Sequence, residues 1–324
     1  MHRRAVLSLG LGALGAGMTG ARTSAQSPGG TLKIVFPFAP GGPGDAVSRM
    51  LADGISTIFN HPAIVENRTG ADGRLGINFV KNANPDGNTL LVTTGPTMWL
   101  MHMVHSSPGF DPFMDFAPIA QLASYDFAIA AATTTGVKTM GELVAWIKAN
   151  PSKASYGIPG AGTIPHFTGV RLSQLIGADM VRVVYRGGVP AVNDVISGQI
   201  PIVVLTTADC LQQHRAGNLR ILATTGSERS PFAPDVPTLR ESGIDLVGDA
   251  WYALWAPAST PPDTIARLNS AAVQMLAKDD TKQRLKLLGL IAAGGTPGQL
   301  ATAMTDATAL WGPIIKETGY KIEQ

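Results

Sequence analysis

Residues 31–45 read TLKIVFPFAPGGPGD, and the way this stretch is built decides the fold. Thr31 to Phe36 is a short apolar, β-rich run that predicts a strand. The loop FPFAPGGPGD (36–45) follows, with three glycines, no Lys, no Ser and a terminal Asp45. AVSRMLADGISTIF (46–59) then places Val47, Met50, Leu51, Ile55 and Ile58 at helical spacing. A strand, a glycine loop and a helix in that order form half of a βαβ unit. The same junction recurs at 67–73, 157–163 and 186–189. Each one delivers the chain to a helix N-terminus, where backbone N–H groups lack intrahelical partners and the helix dipole is positive. Such ends attract anions, and glycine lets a ligand approach the backbone closely.

Outward from this stretch the chain continues to alternate. Strands are expected at 63–66, 89–93, 127–132, 155–156, 180–184, 200–205, 219–224 and 251–256, with helical windows between them. Thr139-Met-Gly-Glu142 fits a capping box, and Thr296-Pro-Gly-Gln299 repeats that logic before the last helix, which Gly319 should end. Alternation of this kind predicts parallel α/β sheets. No repeat and no low-complexity linker appears, so two lobes would be joined by short crossings, expected near 128–132 and 249–252.

The chain has 324 residues, 45% hydrophobic and 15% charged, enough for two core-bearing lobes of a globular protein. Its first segment has Arg3 and Arg4, the uncharged run 5–18 and a small-residue site ending at Ala25. It reads as an export signal over residues 1–25, either of the twin-arginine or of the general secretory type. The glycines between Gly10 and Gly20 argue against a buried helix there. Removing Arg3, Arg4 and Arg22 turns the formal net charge of +2 into −1, and no basic cluster remains to bind nucleic acid. Cys210 is the single cysteine, so neither an internal disulfide nor a multi-cysteine site can form.

Enzyme motifs fail on their required residues. No Lys follows the first glycine loop, GADGRLG (70–76) lacks the Gly-x-Gly start of a dinucleotide turn, and G-x-S-x-G is absent. His102 and His105 could form a metal pair only if they lay one helical turn apart with a third ligand converging; Asp111 and Asp115 are nearby, but Pro108-Gly109 and Pro112 interrupt the helix, and such histidines are expected to be solvated or capping groups. His166 is a capping or packing group, or one that faces a ligand. Asp45 strengthens a first helical turn through the dipole. The cluster Met98, Trp99, Met101 and Met103 reads as core filler. What remains is a crevice walled by backbone amides and the hydroxyls of Thr93, Thr94, Thr163, Thr206 and Thr207.

Taken in order, FPFAPGGPGD, VENRTGADG, FDPFMDFAPIAQLA, YGIPGAGTIPHFTG, VYRGGVPAVNDVISGQI with AGNLRILATTGSERSPFAPDVPTLRESG, and WYALWAPASTPPD resemble the Bug family. These are the extracytoplasmic substrate-binding proteins of tripartite tricarboxylate transporters. The resemblance spans residues 31–324 and implies a type II periplasmic-binding-protein fold, two α/β lobes around a ligand cleft. Lobe one would comprise 30–128 plus 250–324, and lobe two 129–249. It implies a periplasmic, monomeric, non-enzymatic protein without cofactor or metal. The ligand would be a small organic acid held by amides, hydroxyls and waters, and the partners membrane permease subunits. A ligand-sensing co-receptor role, or an exported hydrolase, are the competing readings. The carried-over ligand residues are Phe38, Ala39, Gly42 and Asp45 in the first loop, then Gly70, Ala71 and Gly73, then Thr93 and Thr94. From lobe two come Gly162, Thr163, His166 and Thr206, with Tyr185 and Gly187 behind. Leu205-Thr206 stands where some members carry Asp or Asn, which implies a ligand with an apolar part.

Overall fold

The computed structural model describes residues 30–322, so the expected export signal lies outside the described residues. From Leu32 the chain alternates as its apolar periods predict. β1 (Leu32–Phe36) leads into α1 (Pro43–Phe59), β2 (Ala63–Asn67) into α2 (Arg74–Lys81), and β3 (Thr89–Thr94) into α3 (Gly95–Val104), before β4 (Phe116–Tyr125). A second run follows: β5 (Phe127–Ala132), α4 (Met140–Ala149), β6 (Ser155–Ile158), α5 (Ile164–Ile176), β7 (Val181–Val184), α6 (Gly188–Ile196), β8 (Ile202–Thr206), α7 (Thr207–Arg215) and β9 (Leu219–Thr224). The chain closes with β10 (Ala250–Pro257), α8 (Pro262–Ala277), α9 (Asp279–Leu287), β11 (Ile291–Gly294) and α10 (Pro297–Thr318).

These strands form two sheets, in the orders β11-β4-β10-β3-β1-β2 and β7-β6-β8-β5-β9. The parallel pairing expected from alternation holds where a helix crosses over, as in β1 with β2 and β3, and β6 with β7 and β8. It gives way to antiparallel pairing around β10 and β5. The reason is the direction of entry. β5 begins two positions after β4 ends, with Asp126 alone between them, and β10 comes back from the long irregular stretch 225–249. Strands that carry the chain from one sheet to the other meet their neighbours head to tail.

Both sheets are covered by helices. β5 is buried at every position, and its alanines let helices pack closely on both faces. The caps divide as their chemistry allows. Thr296 and Gln299 make the full reciprocal box at the start of α10. Thr139 accepts from the Glu142 N–H, while the Glu142 carboxylate takes the Lys138 N–H instead of Thr139's own.

In the opening stretch strand and helix approach closely. Gly42 precedes Pro43 in the first turn of α1, as a proline without an N–H favours. A Cβ on Gly44 would fall 2.5 Å from Phe36 Cζ and 2.6 Å from Tyr252 Cε1, well inside contact distance. Gly44→Ala is therefore expected to cost about 1–3 kcal/mol through displaced rings. A thermal melt checks this against Gly42→Ala, whose Cβ meets nothing within 4 Å.

Candidate ligand-binding site

Helix starts from both sheets meet around a cavity of about 400 Å³, within the range of small-molecule sites. From the first sheet it is lined by Phe38, Asp72, Thr94, Thr97 and Tyr125, and from the second by Phe127, Gly162, Thr163 and Thr206. Leu100, Met101, Val104, Ile164 and Ile322 supply apolar lining, and among the described residues no Lys or Arg lines the space. Three threonines stand at helix N-caps, and they differ in what they leave open. Thr94 accepts from the Thr97 N–H at 3.1 Å, and Thr206 accepts from the Asp209 N–H at 3.2 Å. Thr163 donates instead to the Gly160 carbonyl at 2.8 Å, so α5 has no side-chain cap. The first-turn amides of this 13-residue helix therefore keep their anion-attracting character beside the cavity.

Phe38, Thr94, Gly162, Thr163 and Thr206 thus line the cavity, while the other expected residues stand around it. Asp45 is buried and occupied. Its carboxylate accepts from the Gly41 N–H (3.1 Å), Arg49 Nε (2.9 Å) and Asn67 Nδ2 (2.9 Å). Burial alone would raise its pKa, but these hydrogen bonds and the Arg49 charge outweigh it and hold the carboxyl below its ordinary value. Asp45 ties loop 36–45, with Ala39 and Gly42, to α1 and β2. Gly70, Ala71, Asp72 and Gly73 all adopt positive φ (126°, 48°, 56° and 96°). For Ala71 and Asp72 this is a strained conformation of the kind that clusters at ligand sites. Gly73 leaves room for the Phe38 ring, which a Cβ would approach to 3.3 Å. Thr93 lies fully buried in β3, outside the cavity lining.

In the second sheet His166 is buried and braces the lining loop from behind. Its Nδ1 accepts from the Gly162 N–H at 3.2 Å, its Nε2 meets Arg182, and its ring stacks on Phe167 at 4.5 Å. Burial first, and the Arg182 charge second, lower its pKa to about 4, so the ring is neutral. Tyr185 donates to Asp194 at 2.7 Å, and burial raises its pKa to about 12. Gly187, at φ 96°, donates to the Pro159 carbonyl at 3.0 Å, fixing the other end of the same loop.

Two contributions escape the sequence patterns. His105 takes the capping role that was one of its two expectations, at the C-terminal end of α3, but at 3% exposure it is not solvated, and it lines the cavity. The second is the return of the chain after Gly319. The Ile322 N–H donates to the Val104 carbonyl at 2.9 Å, and Lys321 Nζ reaches the Met103 carbonyl at 2.8 Å. The Tyr320 ring meets His166 edge-on at 5.0 Å and Phe167 at 6.0 Å. This segment joins α3 of one sheet to the Gly162 loop of the other. Tyr320→Ala removes those ring contacts, each worth about 0.5–1.5 kcal/mol. It is expected to lower Tm by roughly 2–5 °C and to weaken ligand binding about tenfold, read by melting and titration of the same preparation.

Residues 47–320 match the tripartite tricarboxylate transporter family receptor. The chain belongs to that family. Among relatives of this receptor, the UPF0065 protein in the gbd 5'region of Cupriavidus necator is 34% identical over 83% of this chain and 81% of its own. Of the solved structures, MatC from Rhodopseudomonas palustris with bound malate is 28% identical, covers 89% of this chain and 100% of its own, and has a TM-score of 0.73. The periplasmic binding protein BugD is 29% identical, covers 92% of this chain and 100% of its own, and has a TM-score of 0.74. The receptor thus has the two-sheet binding-protein architecture of solute-binding proteins, in agreement with the resemblance in its loops.

Proposed function

We propose that this receptor is an extracytoplasmic solute-binding protein that captures a small organic carboxylate in the cavity between its two sheets and hands it to a membrane permease. The lobes that close on the ligand are residues 30–128 plus 250–324, and 129–249. The signal at 1–25 directs export to the periplasm, and no chemical step is performed on the ligand. The uncapped N-terminus of α5 beside the cavity carries this reading, because open amides and a positive dipole end favour a carboxylate without any cation. The Thr94–Thr97 hydroxyl pair adds a donor to the lining, while the Thr163 and Thr206 hydroxyls already donate to the Gly160 carbonyl and to Asp209 and offer acceptor lone pairs only. Malate in MatC supports the ligand class.

The test is thermal melting of the purified mature chain against a panel of mono-, di- and tricarboxylates, with amines and neutral sugars as controls. A ligand at a hundred times its Kd stabilises by about 2.7 kcal/mol, a rise of several degrees in Tm. A rise confined to one carboxylate class is expected. A flat response across the acids, from protein shown to be free of retained ligand, overturns the proposal.

A further inference from the structure

We infer that Arg182 is a positioning residue for ligand capture: by setting the tautomer of His166 it turns the Gly162 N–H into the cavity as a donor to the ligand carboxylate. This rests on the carboxylate reading above and names a donor beside the start of α5.

That start is short of donors. Pro165, in the first turn of α5, has no N–H, which makes the amide of Gly162 matter more; Gly162 lines the cavity together with Ala161 and Thr163. The Gly162 N–H is directed at His166 Nδ1, 3.2 Å away. On the other side of the same ring, Nε2 meets Arg182 Nη1. A guanidinium only donates, and so does an amide N–H, whereas a neutral imidazole has a single acceptor nitrogen. The His166 ring is neutral at pH 7, because burial and then the Arg182 charge hold its pKa at about 4. The two contacts therefore compete for one lone pair, and satisfying either leaves a ring N–H facing a donor. The ring has no room to turn away: Phe167 stacks on it at 4.5 Å, and Tyr320 meets it edge-on at 5.0 Å.

Charge decides the competition. A hydrogen bond from a guanidinium is roughly twice as strong as one between neutral groups, so Nε2 keeps its lone pair for Arg182 and the proton sits on Nδ1. Nδ1–H then needs an acceptor where the Gly162 N–H points. Turning the planar peptide unit between Ala161 and Gly162 supplies one, since it swings the Ala161 carbonyl towards the ring and the Gly162 N–H to the opposite side, where the loop lines the cavity. The Ala161 carbonyl accepts no hydrogen bond among the described residues, so the turn breaks no bond of its own. Gly162 stands at φ 69° and is free to take either sign of φ. The flanking positions stay anchored, because Thr163 Oγ1 donates to the Gly160 carbonyl and the Gly187 N–H to the Pro159 carbonyl. Once the peptide has turned, the ring is paired at both nitrogens, and a carboxylate oxygen in the cavity completes the set by accepting from Gly162. Without the guanidinium the ring reverts to the Nε2–H form, and Nδ1 holds the Gly162 N–H away from the ligand.

Calorimetric titration and 15N NMR of the full mature chain, labelled at its histidine nitrogens, test this at pH 7 with hexanoate, malate, adipate and citrate. The His166 signals are assigned by their loss in His166→Gln. With the acid that binds the wild type tightest, His166 is expected to show a protonated Nδ1 and an unprotonated Nε2. Arg182→Met should bind the same acid about tenfold more weakly, with Tm within a few degrees of wild type, and should show the Nε2–H tautomer. The wild-type spectrum decides even where the variant does not fold. An Nε2–H ring in the wild-type complex, or an Arg182→Met affinity within about threefold of wild type, overturns the relay and leaves carboxylate capture standing. Binding of none of the acids by the wild type overturns both.

Discussion

Met101→Trp is expected to abolish ligand capture, with affinity falling on the order of a hundredfold or more and Tm staying within a few degrees of wild type. Met101 lines the cavity from α3, between Leu100 and Val104. Its own side chain is 8% exposed, so a larger group at this position has little room except the cavity. An indole there occupies the space where any ligand bridging the two sheets must lie. The stability effect is small because the indole enters an existing void and not packed core, where an added ring would cost about 1–3 kcal/mol. Titration with the best acid found for the wild type reads the loss, and circular dichroism melting reads the fold. Retained affinity would show that the ligand binds elsewhere.

Asp45→Ala is the second large effect, and it falls on stability. The substitution leaves the Gly41 N–H and Asn67 Nδ2 without their acceptor and Arg49 without its i,i+4 partner. Hydrogen bonds to a charged acceptor are worth about 1.5–3 kcal/mol each, and they are not additive. A total loss of about 2–4 kcal/mol is expected, with Tm lower by roughly 5 °C or more. The affinity of the folded protein should change by no more than about threefold, since the carboxylate is not part of the cavity lining. The pH dependence has a definite sign. Asp45 is a stronger acid folded than unfolded, so its contribution is complete above the unfolded carboxyl pKa and fades as pH falls through the folded one. Asp45→Ala should therefore cost most at neutral pH and progressively less below about pH 4. A large loss of affinity with unchanged stability would instead return Asp45 to the ligand.

The first loop was legible because its signals are local. A strand run, glycines at a close approach and an amphipathic helix all fall within Thr31 to Phe59. The threonines at helix starts were legible for the same reason, since capping chemistry is read within three residues. α3 was not, because it is buried on several sides. Met98 and Trp99 pack into the core while Leu100 and Met101 face the cavity, which erases the helical period. β4 was hidden by Pro118, which breaks a strand pattern. The structure tolerates that proline opposite Trp255, where the register with β10 shifts and a ladder donor is not required. The partners of Asp45, His166 and His105 were beyond local reading. Asn67 lies 22 residues from Asp45, and the link from Lys321 to Met103 spans 218. Such contacts exist only once the sheets are assembled, so Asp45 and His166 were expected among the ligand residues and His105 as a solvated or capping group, while the structure sets the first two around the cavity and the third in its lining.

The central claim, one small organic acid held between the two sheets, is tested most directly by native mass spectrometry of the freshly purified mature chain. The account predicts a one-to-one complex whose extra mass is that of a small carboxylic acid, either retained or formed on adding the acid that raises Tm, and absent from Met101→Trp under the same conditions. Bare protein alone before and after exposure to the carboxylate panel, or the same adduct on Met101→Trp, would contradict it.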